Sequence, residues 1–130
     1  MSKKISDAEV SIILPNYNSE TFVEETIESV INQTFKNWKL NIVDDNSNME
    51  TKKVLEKYKN HPKINITWLK KNKGAGFCRN IAIRNSTADY IAFIDSDDIW
   101  DKEKLSKQIK FMINNNFHFT YTNYYTFKSN

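Results

Sequence analysis

The fold of this chain is indicated most directly by the stretch VSIILPNYN, residues 10–18. The apolar, β-branched run Glu9–Pro15 is closed by a proline, which is typical of a short buried strand. The polar residues Asn16, Tyr17 and Asn18 follow at once. In open parallel sheets, ligands bind beyond the carboxyl ends of the strands, so this polar turn is a first candidate for a functional site.

Strand and helix patterns alternate from this stretch onward. Thr21 and Glu24 form a capping-box pair, which predicts a first helix that ends near Gln33. Ser47 and Glu50 form a second such pair, for a helix that ends near Lys59. Further strands are predicted at Trp38–Asp44, Ile64–Leu69, Asp89–Asp95 and Phe117–Tyr121. A third helix should carry inward Phe77, Cys78, Ile81 and Ala82, and a fourth, capped by Asp101, should bury Leu105, Ile109, Met112 and Ile113.

This alternation predicts an α/β fold, with a mainly parallel, Rossmann-like sheet that is flanked by helices and truncated after about the fifth strand. The chain has 130 residues, of which 39% are hydrophobic, and this is enough for one packed core. We therefore expect residues 1–130 to form a single domain.

Composition excludes several classes of function. The net charge is +3 and the basic residues are spread along the chain, so we expect no nucleic-acid partner. The single cysteine and two isolated histidines make a zinc site improbable. No apolar run approaches the roughly 20 residues of a membrane helix, so we expect a cytoplasmic protein.

A lysine-rich segment leaves one question about membranes open. A predicted helix carries four lysines that alternate with Glu50 and Glu56. The lysines are Lys52, Lys53, Lys57 and Lys59. They form either a solvated helix face or a weak attachment to an anionic membrane surface, which would place the protein at the inner face of the membrane.

Polar clusters end three of the predicted strands, at Pro15–Asn18, Asp44–Ser47 and Asp95–Asp98. Because parallel strands end at one edge of a sheet, the three clusters should lie together. Asp95, Asp97 and Asp98 repel one another, and a divalent cation with oxygen ligands, Mg²⁺ or Mn²⁺, would offset that repulsion. The alternative is an Asp-rich turn whose side chains cap the next helix.

Four ordered motifs resemble family 2 glycosyltransferases of the GT-A fold. They are the stretch 10–18, the cluster Asp44–Ser47, the loop and helix start with Asn72, Gly74, Arg79 and Asn80, and the strand YIAFIDSDDIW at 90–100 with Lys104 and Leu105. Cys78 stands where the family usually has alanine. The resemblance spans residues 9 to about 113, and it implies the nucleotide-sugar-binding part of a metal-dependent, inverting transferase.

The resemblance also implies roles for particular residues. Pro15 and Tyr17 would shape the nucleoside pocket, with the Tyr17 ring packing on the base, and Asp45 would accept a hydrogen bond from uracil. Asp95 and Asp97 would hold Mn²⁺ or Mg²⁺, with Asp98 behind them. The predicted nucleotide-sugar-binding set is Pro15, Tyr17, Asn18, Asp45, Asn72, Gly74, Arg79, Asp95 and Ser96.

Simpler structural roles stay open for three of these residues. Tyr17 could be a half-buried turn aromatic, Asp45 could form an Asx-turn with Ser47, and Arg79 could pair with the acidic loop. Asp44 is expected to be structural.

The resemblance further implies a nucleoside-diphosphate sugar, most simply a UDP-sugar, as donor, and a glycan or lipid-linked acceptor. No Asp or Glu follows Glu103, so the general base and the acceptor-binding half are expected beyond Asn130. One alternative is a catalytically inactive truncated fragment that binds nucleotide or associates with itself through the aromatic run FHFTYTNYY, as a homo-oligomer. A second is a receiver-like phosphorylation switch, whose acidic pair would have to end the first strand.

Overall fold

The computed structural model describes residues 4–127, so the first three and last three residues of the predicted domain lie outside the described residues. Residues 4–127 contain a four-stranded parallel sheet with the strand order β3-β2-β1-β4. The strands are β1 (Val10–Asn16), β2 (Trp38–Asp44), β3 (Ile64–Trp68) and β4 (Tyr90–Phe93). The helices are α1 (Val23–Ile31), α2 (Met49–Glu56), α3 (Ala75–Arg84) and α4 (Lys104–Asn115), and a short 3-10 turn, Ile5–Asp7, precedes them. The predicted parallel α/β sheet is thus confirmed.

Strand β1 lies in the middle of the sheet. It pairs with β2 along its whole length, from Val10 opposite Trp38 to Asn16 opposite Asp44. On its other side it pairs with β4 over a shorter stretch that ends with Ile13 opposite Phe93. A strand with neighbours on both sides and helices on both faces is buried throughout, which explains its continuous apolar run.

Both faces of the sheet are covered. On one face, Ile12 and Leu14 of β1 pack in a large core with Ile27 of α1, Leu55 of α2 and Leu105 of α4. Among the described helices, α3 is the one on the opposite face, in a smaller cluster of Ile13, Val43, Cys78 and Ala82. The two faces of β1 therefore fix which helices lie on which side of the molecule.

The predicted capping box at the start of α1 is wrong. The helix begins at Val23 after Phe22, whose side chain makes no capping hydrogen bond. The carbonyl of Ser19 instead accepts from the amides of Phe22 and Val23, each at 2.9 Å. A tight backbone turn thus replaces the predicted side-chain cap at the start of α1.

The capping box predicted for α2 is also wrong. Asn48 caps this helix, because its Oδ1 accepts from the amide of Thr51 at 2.9 Å. Ser47 is not free to do so, since its hydroxyl donates to Asp44 Oδ1 at 2.6 Å and accepts from the amide of Asn18 at 3.0 Å. The Ser47 side chain is therefore bound within the polar turn after β2 and does not cap α2.

Helix α4 is only partly as predicted. Leu105 and Ile109 are buried, whereas Met112 and Ile113 are only partly buried. Asp101 caps the turn before the helix and not the helix itself, because its Oδ1 accepts from the amide of Glu103 at 2.9 Å.

Two other predictions fail at exposed aromatic residues. Phe77 was expected to point inward from α3, but its side chain is about half exposed, while Cys78 and Ala82 on the same helix are buried. Within residues 4–127 the predicted fifth strand at Phe117–Tyr121 does not form. This segment lies along α4, where Gln108 Nε2 donates to Thr120 Oγ1 at 3.2 Å. Side chains therefore hold the segment without any strand pairing.

Candidate functional site

The polar clusters at the ends of β1, β2 and β4 border one cleft of about 250 Å³. It is lined by Pro15, Asn16, Tyr17, Asp45, Ala75, Cys78, Arg79, Asp95, Ser96 and Asp97. Seven of these were singled out from the sequence. Asn16, Ala75 and Cys78 were missed as lining residues. The position of Asn16 at the end of β1 was available as a signal, whereas Ala75 and Cys78 become lining residues only through the placement of α3.

Asp44 holds the ends of β1 and β2 together. It is fully buried, and its carboxylate accepts from Asn16 Nδ2 at 3.0 Å, the Ser47 amide at 3.0 Å and the Ser47 hydroxyl at 2.6 Å. The turn with Ser47 that was considered for Asp45 is thus made by its neighbour. The predicted structural role of Asp44 agrees with this network.

Asn18 does not line the cleft. Its backbone has a positive φ of 45°, and its Oδ1 accepts from the amide of Asn48 at 2.7 Å. Asn18 therefore joins the turn after β1 to the start of α2.

Asp45 binds the loop that precedes α3. It is 3% exposed, and its two carboxylate oxygens accept from the amides of Lys73 at 2.7 Å and Gly74 at 2.8 Å. Asn72 Nδ2 donates to the Asp45 carbonyl at 3.3 Å. Asn72 and Gly74 thus act on Asp45 and do not themselves line the cleft. An ionised carboxylate has about four acceptor positions, so Asp45 can still accept from a ligand.

Gly74 is the residue from which α3 begins. Its φ of 91° and ψ of 158° are accessible to glycine and strained for any residue with a Cβ. This conformation turns the chain so that its amide points at Asp45 while α3 starts at the next residue. Arg79 is consequently placed one helical turn along α3, at the cleft.

Cys78 packs beneath the cleft, next to Asp45. Burial, together with the nearby carboxylates of Asp45 and Asp44, raises the pKa of the Cys78 thiol to about 11. The residue is fully buried. At neutral pH the side chain is therefore a small neutral group that fills the space between α3 and β2, in a position where its charge would face carboxylates.

The acidic end of the cleft contains one ion pair. Arg79 Nη2 lies 3.2 Å from Asp95 Oδ1, and the two side chains are 37% and 60% exposed. The pairing of Arg79 with the acidic loop, left open above, is thus present. The hydroxyl of Thr26 on α1 donates to the Ser96 carbonyl at 3.0 Å and fastens this loop.

The same loop carries more negative charge than Arg79 offsets. Burial, and then the negative charges of Asp95 and Asp97, raises the pKa of Asp98. Within residues 4–127 no group of three or more Asp, Glu, His or Cys side chains is arranged to hold a metal ion. Two carboxylates at an open cleft fit Mg²⁺ or Mn²⁺ nonetheless, because these ions commonly take one or two carboxylates and fill the remaining positions with phosphate oxygens and water.

Comparison with known proteins finds a matching family and similar sequences. The family model described as glycosyl transferase family 2 matches residues 11–130. The chain is 42% identical over 127 residues to the UDP-Glc:alpha-D-GlcNAc-diphosphoundecaprenol beta-1,3-glucosyltransferase WfgD of Escherichia coli, covering 97% of this chain and 49% of that protein. It thus spans about half the length of this relative.

Two solved structures share the fold. The S. aureus TarS 1-349 structure in complex with UDP-GlcNAc superposes with a TM-score of 0.77 at 32% identity, covering 83% of this chain and 32% of that one. The mannosyltransferase PcManGT from Pyrobaculum calidifontis, in complex with GDP-Man and Mn2+, has a TM-score of 0.73 at 22% identity, covering 80% of this chain and 32% of that one.

In the described part of this chain, no helix has the length and apolar character needed to cross a bilayer.

Proposed function

The chain belongs to glycosyl transferase family 2, and on that premise we propose that its cleft binds the nucleoside diphosphate of a donor sugar, most simply a UDP-sugar. The observation that carries the proposal is the convergence of Tyr17, Asp45, Arg79 and two carboxylates, Asp95 and Asp97, on one cleft. The name of the E. coli relative and the ligand of the S. aureus structure support a uridine donor. In the whole protein the reaction would be inverting transfer to a glycan or lipid-linked acceptor.

The nucleoside would bind between Tyr17 and Asp45. Tyr17 is 53% exposed and lines the cleft, so its side chain has free surface for a base. Pro15 restricts the backbone beside it. Asp45 is fixed by two backbone amides, and its remaining acceptor positions suit the N–H of a pyrimidine such as uracil.

The diphosphate would bind at the acidic end, where Asp95 and Asp97 would hold Mn²⁺ or Mg²⁺. Such an ion would neutralise the diphosphate as it leaves the anomeric carbon of the sugar. Arg79 donates to Asp95 Oδ1 through Nη2, at 3.2 Å. Its other guanidinium N–H groups can therefore donate to phosphate oxygens. The Ser96 backbone, fastened to α1, keeps the two carboxylates at the cleft.

We assign no general base within residues 1–130. We propose that residues 1–130 form the donor-binding domain, and that the base and the acceptor site belong to other parts of the whole protein. The receiver-like alternative lacks support, because the acidic pair Asp44–Asp45 follows the second strand of the sheet and not the first.

Calorimetry of UDP binding tests the proposal. We expect UDP to bind more tightly with Mn²⁺ than with EDTA, because without a cation the acidic end repels the diphosphate. Asp97→Asn should lose most of this metal-dependent gain. Glu50→Gln is the matched control, since it removes one negative charge from α2, outside the cleft. Equal UDP affinity in Mn²⁺ and in EDTA would refute the metal role, and no binding of UDP, GDP, dTDP or CDP would refute the nucleotide site.

A further inference from the structure

A second concave surface lies outside the cleft, between α2 and the end of β3. It has a volume of about 340 Å³ and is lined by Met49, Lys52, Lys53, Glu56 and Trp68. We call this surface the basic groove. The proposed nucleotide site uses none of these five residues.

The basic groove exposes large apolar side chains. Met49 is 62% exposed and Trp68 is 37% exposed, whereas the other two tryptophans, Trp38 and Trp100, are 3% and 9% exposed. Trp68 ends β3, which is an edge strand of the described sheet. Trp68 is thus the one exposed tryptophan among the three, and it lines the groove together with Met49.

The lysines around the groove lack acidic partners, unlike others nearby. Lys57 lies 3.0 Å from Glu24, and Lys59 lies 2.9 Å from Glu56, so these two are paired. Lys52 and Lys53 form no ion pair within residues 4–127. The same is true of Lys70, Lys71 and Lys73 in the loop after β3, within that part of the chain. The lysine-rich segment singled out from the sequence therefore divides into paired lysines and lysines with uncompensated charge.

The groove borders the cleft through the loop after β3. The backbone amides of Lys73 and Gly74 donate to Asp45, so the lysine-bearing loop holds a residue that lines the cleft. The Lys73 ammonium lies 5.9 Å from the ring centroid of Phe77, which is itself about half exposed. The loop after β3 thus connects Trp68 in the groove to Asp45 at the proposed donor site.

We propose that the basic groove docks on an anionic lipid bilayer, with Trp68 and Met49 in the headgroup region and the unpaired lysines on lipid phosphates. Tryptophan favours the membrane–water interface, and lysine is attracted to anionic leaflets. A soluble polyanion would satisfy the lysines but leave Trp68 and Met49 in water, so the combination favours a bilayer. This inference goes beyond the proposed function, because docking requires neither nucleotide nor metal.

Co-sedimentation with vesicles tests the proposal on the full chain without nucleotide or metal. We expect binding to vesicles of mixed phosphatidylcholine and phosphatidylglycerol and little binding to phosphatidylcholine alone. Lys52→Glu with Lys53→Glu should weaken binding at least about tenfold, since each lysine near an anionic surface contributes roughly fivefold. Lys102→Glu with Lys110→Glu is the control, because it makes the same change in net charge outside the groove. UDP affinity should be unchanged in both variants.

Tryptophan fluorescence supplies a second readout that identifies the docking surface. Mixed vesicles should shift the emission to shorter wavelength in the original chain, and Trp68→Phe should abolish the shift because the other two tryptophans are buried. The proposal is overturned if mixed and neutral vesicles bind equally or not at all. It is also overturned if both double variants weaken binding to the same extent. Capture of inorganic polyphosphate as tight as that of vesicles, with no vesicle-induced shift, would assign the lysines to a soluble polyanion instead.

Discussion

The two glycines of the chain should respond in opposite directions to the same substitution. Gly74 has a φ of 91° and a ψ of 158°, and no heavy atom lies within 4 Å of where a Cβ would stand. Gly74→Ala therefore introduces no clash, and its cost is the backbone strain of that region, about 1–3 kcal/mol. Gly76 lies within the first turn of α3 and also has free space around a Cβ. Gly76→Ala should stabilise the protein by about 0.5–1 kcal/mol, since alanine favours helix over glycine.

The two variants should thus differ by about 1.5–4 kcal/mol, a large part of the 5–15 kcal/mol typical of a domain. Urea unfolding of the two alanine variants and the original chain measures this, provided that the slope of free energy against urea is unchanged. Gly74→Ala should also weaken UDP binding, because relaxing the strain moves the amide that holds Asp45. Equal stability of the two variants would refute the strained conformation and, with it, this account of how Asp45 is held.

Two further perturbations test the residues around Asp45. Asp45→Asn should lower the free energy of unfolding by about 2–3 kcal/mol. The asparagine side chain has one oxygen, so it can replace one carboxylate oxygen and leaves the backbone N–H of Lys73 or Gly74 buried without a partner. Hydrogen exchange should quicken at residues 70–74, and unchanged exchange there would contradict the role of Asp45. Cys78 should react with thiol reagents at pH 8 only when the protein opens, since burial and the neighbouring carboxylates raise its pKa to about 11. Because the thiol keeps its proton longer in the folded state, stability should fall as the pH rises from 9.0 towards 11. Cys78→Ala should flatten that fall in urea titrations, and an identical pH slope would argue against the raised pKa.

The order of strands and helices could be predicted because the apolar runs of the sheet and the helical spacing are local signals. The helix caps could not, because tertiary contacts decide which side chains are available. Ser47 has the right type and spacing for a cap, yet Asp44 and Asn18 engage it, so Asn48 caps α2 instead. The segment Phe117–Tyr121 alternates as a strand should, but alternation alone supplies no neighbouring strand.

The meeting of the polar clusters at one cleft followed from the parallel sheet. The partners of each side chain did not, because they are distant in sequence. Asp45 binds amides of Lys73 and Gly74, which stand 28 and 29 residues away, and no local pattern marks an amide as a partner. The structure shows that Asn72 and Gly74 contact Asp45, and their binding of the nucleotide stays a prediction.

The position of β1 in the sheet also bears on how the molecule assembles during synthesis. Of the four described strands β1 is made first, and β2, its partner along the whole of Val10–Asn16, follows after a single helix. Its other neighbour, Tyr90–Phe93, is made only after α1, α2 and α3 have all been completed. Contacts between residues far apart in sequence form slowly, so we expect the pairing of β1 with β4 to form later than its pairing with β2. We therefore expect the Asp45 side of the cleft to form before β4 brings the Asp95 side to it.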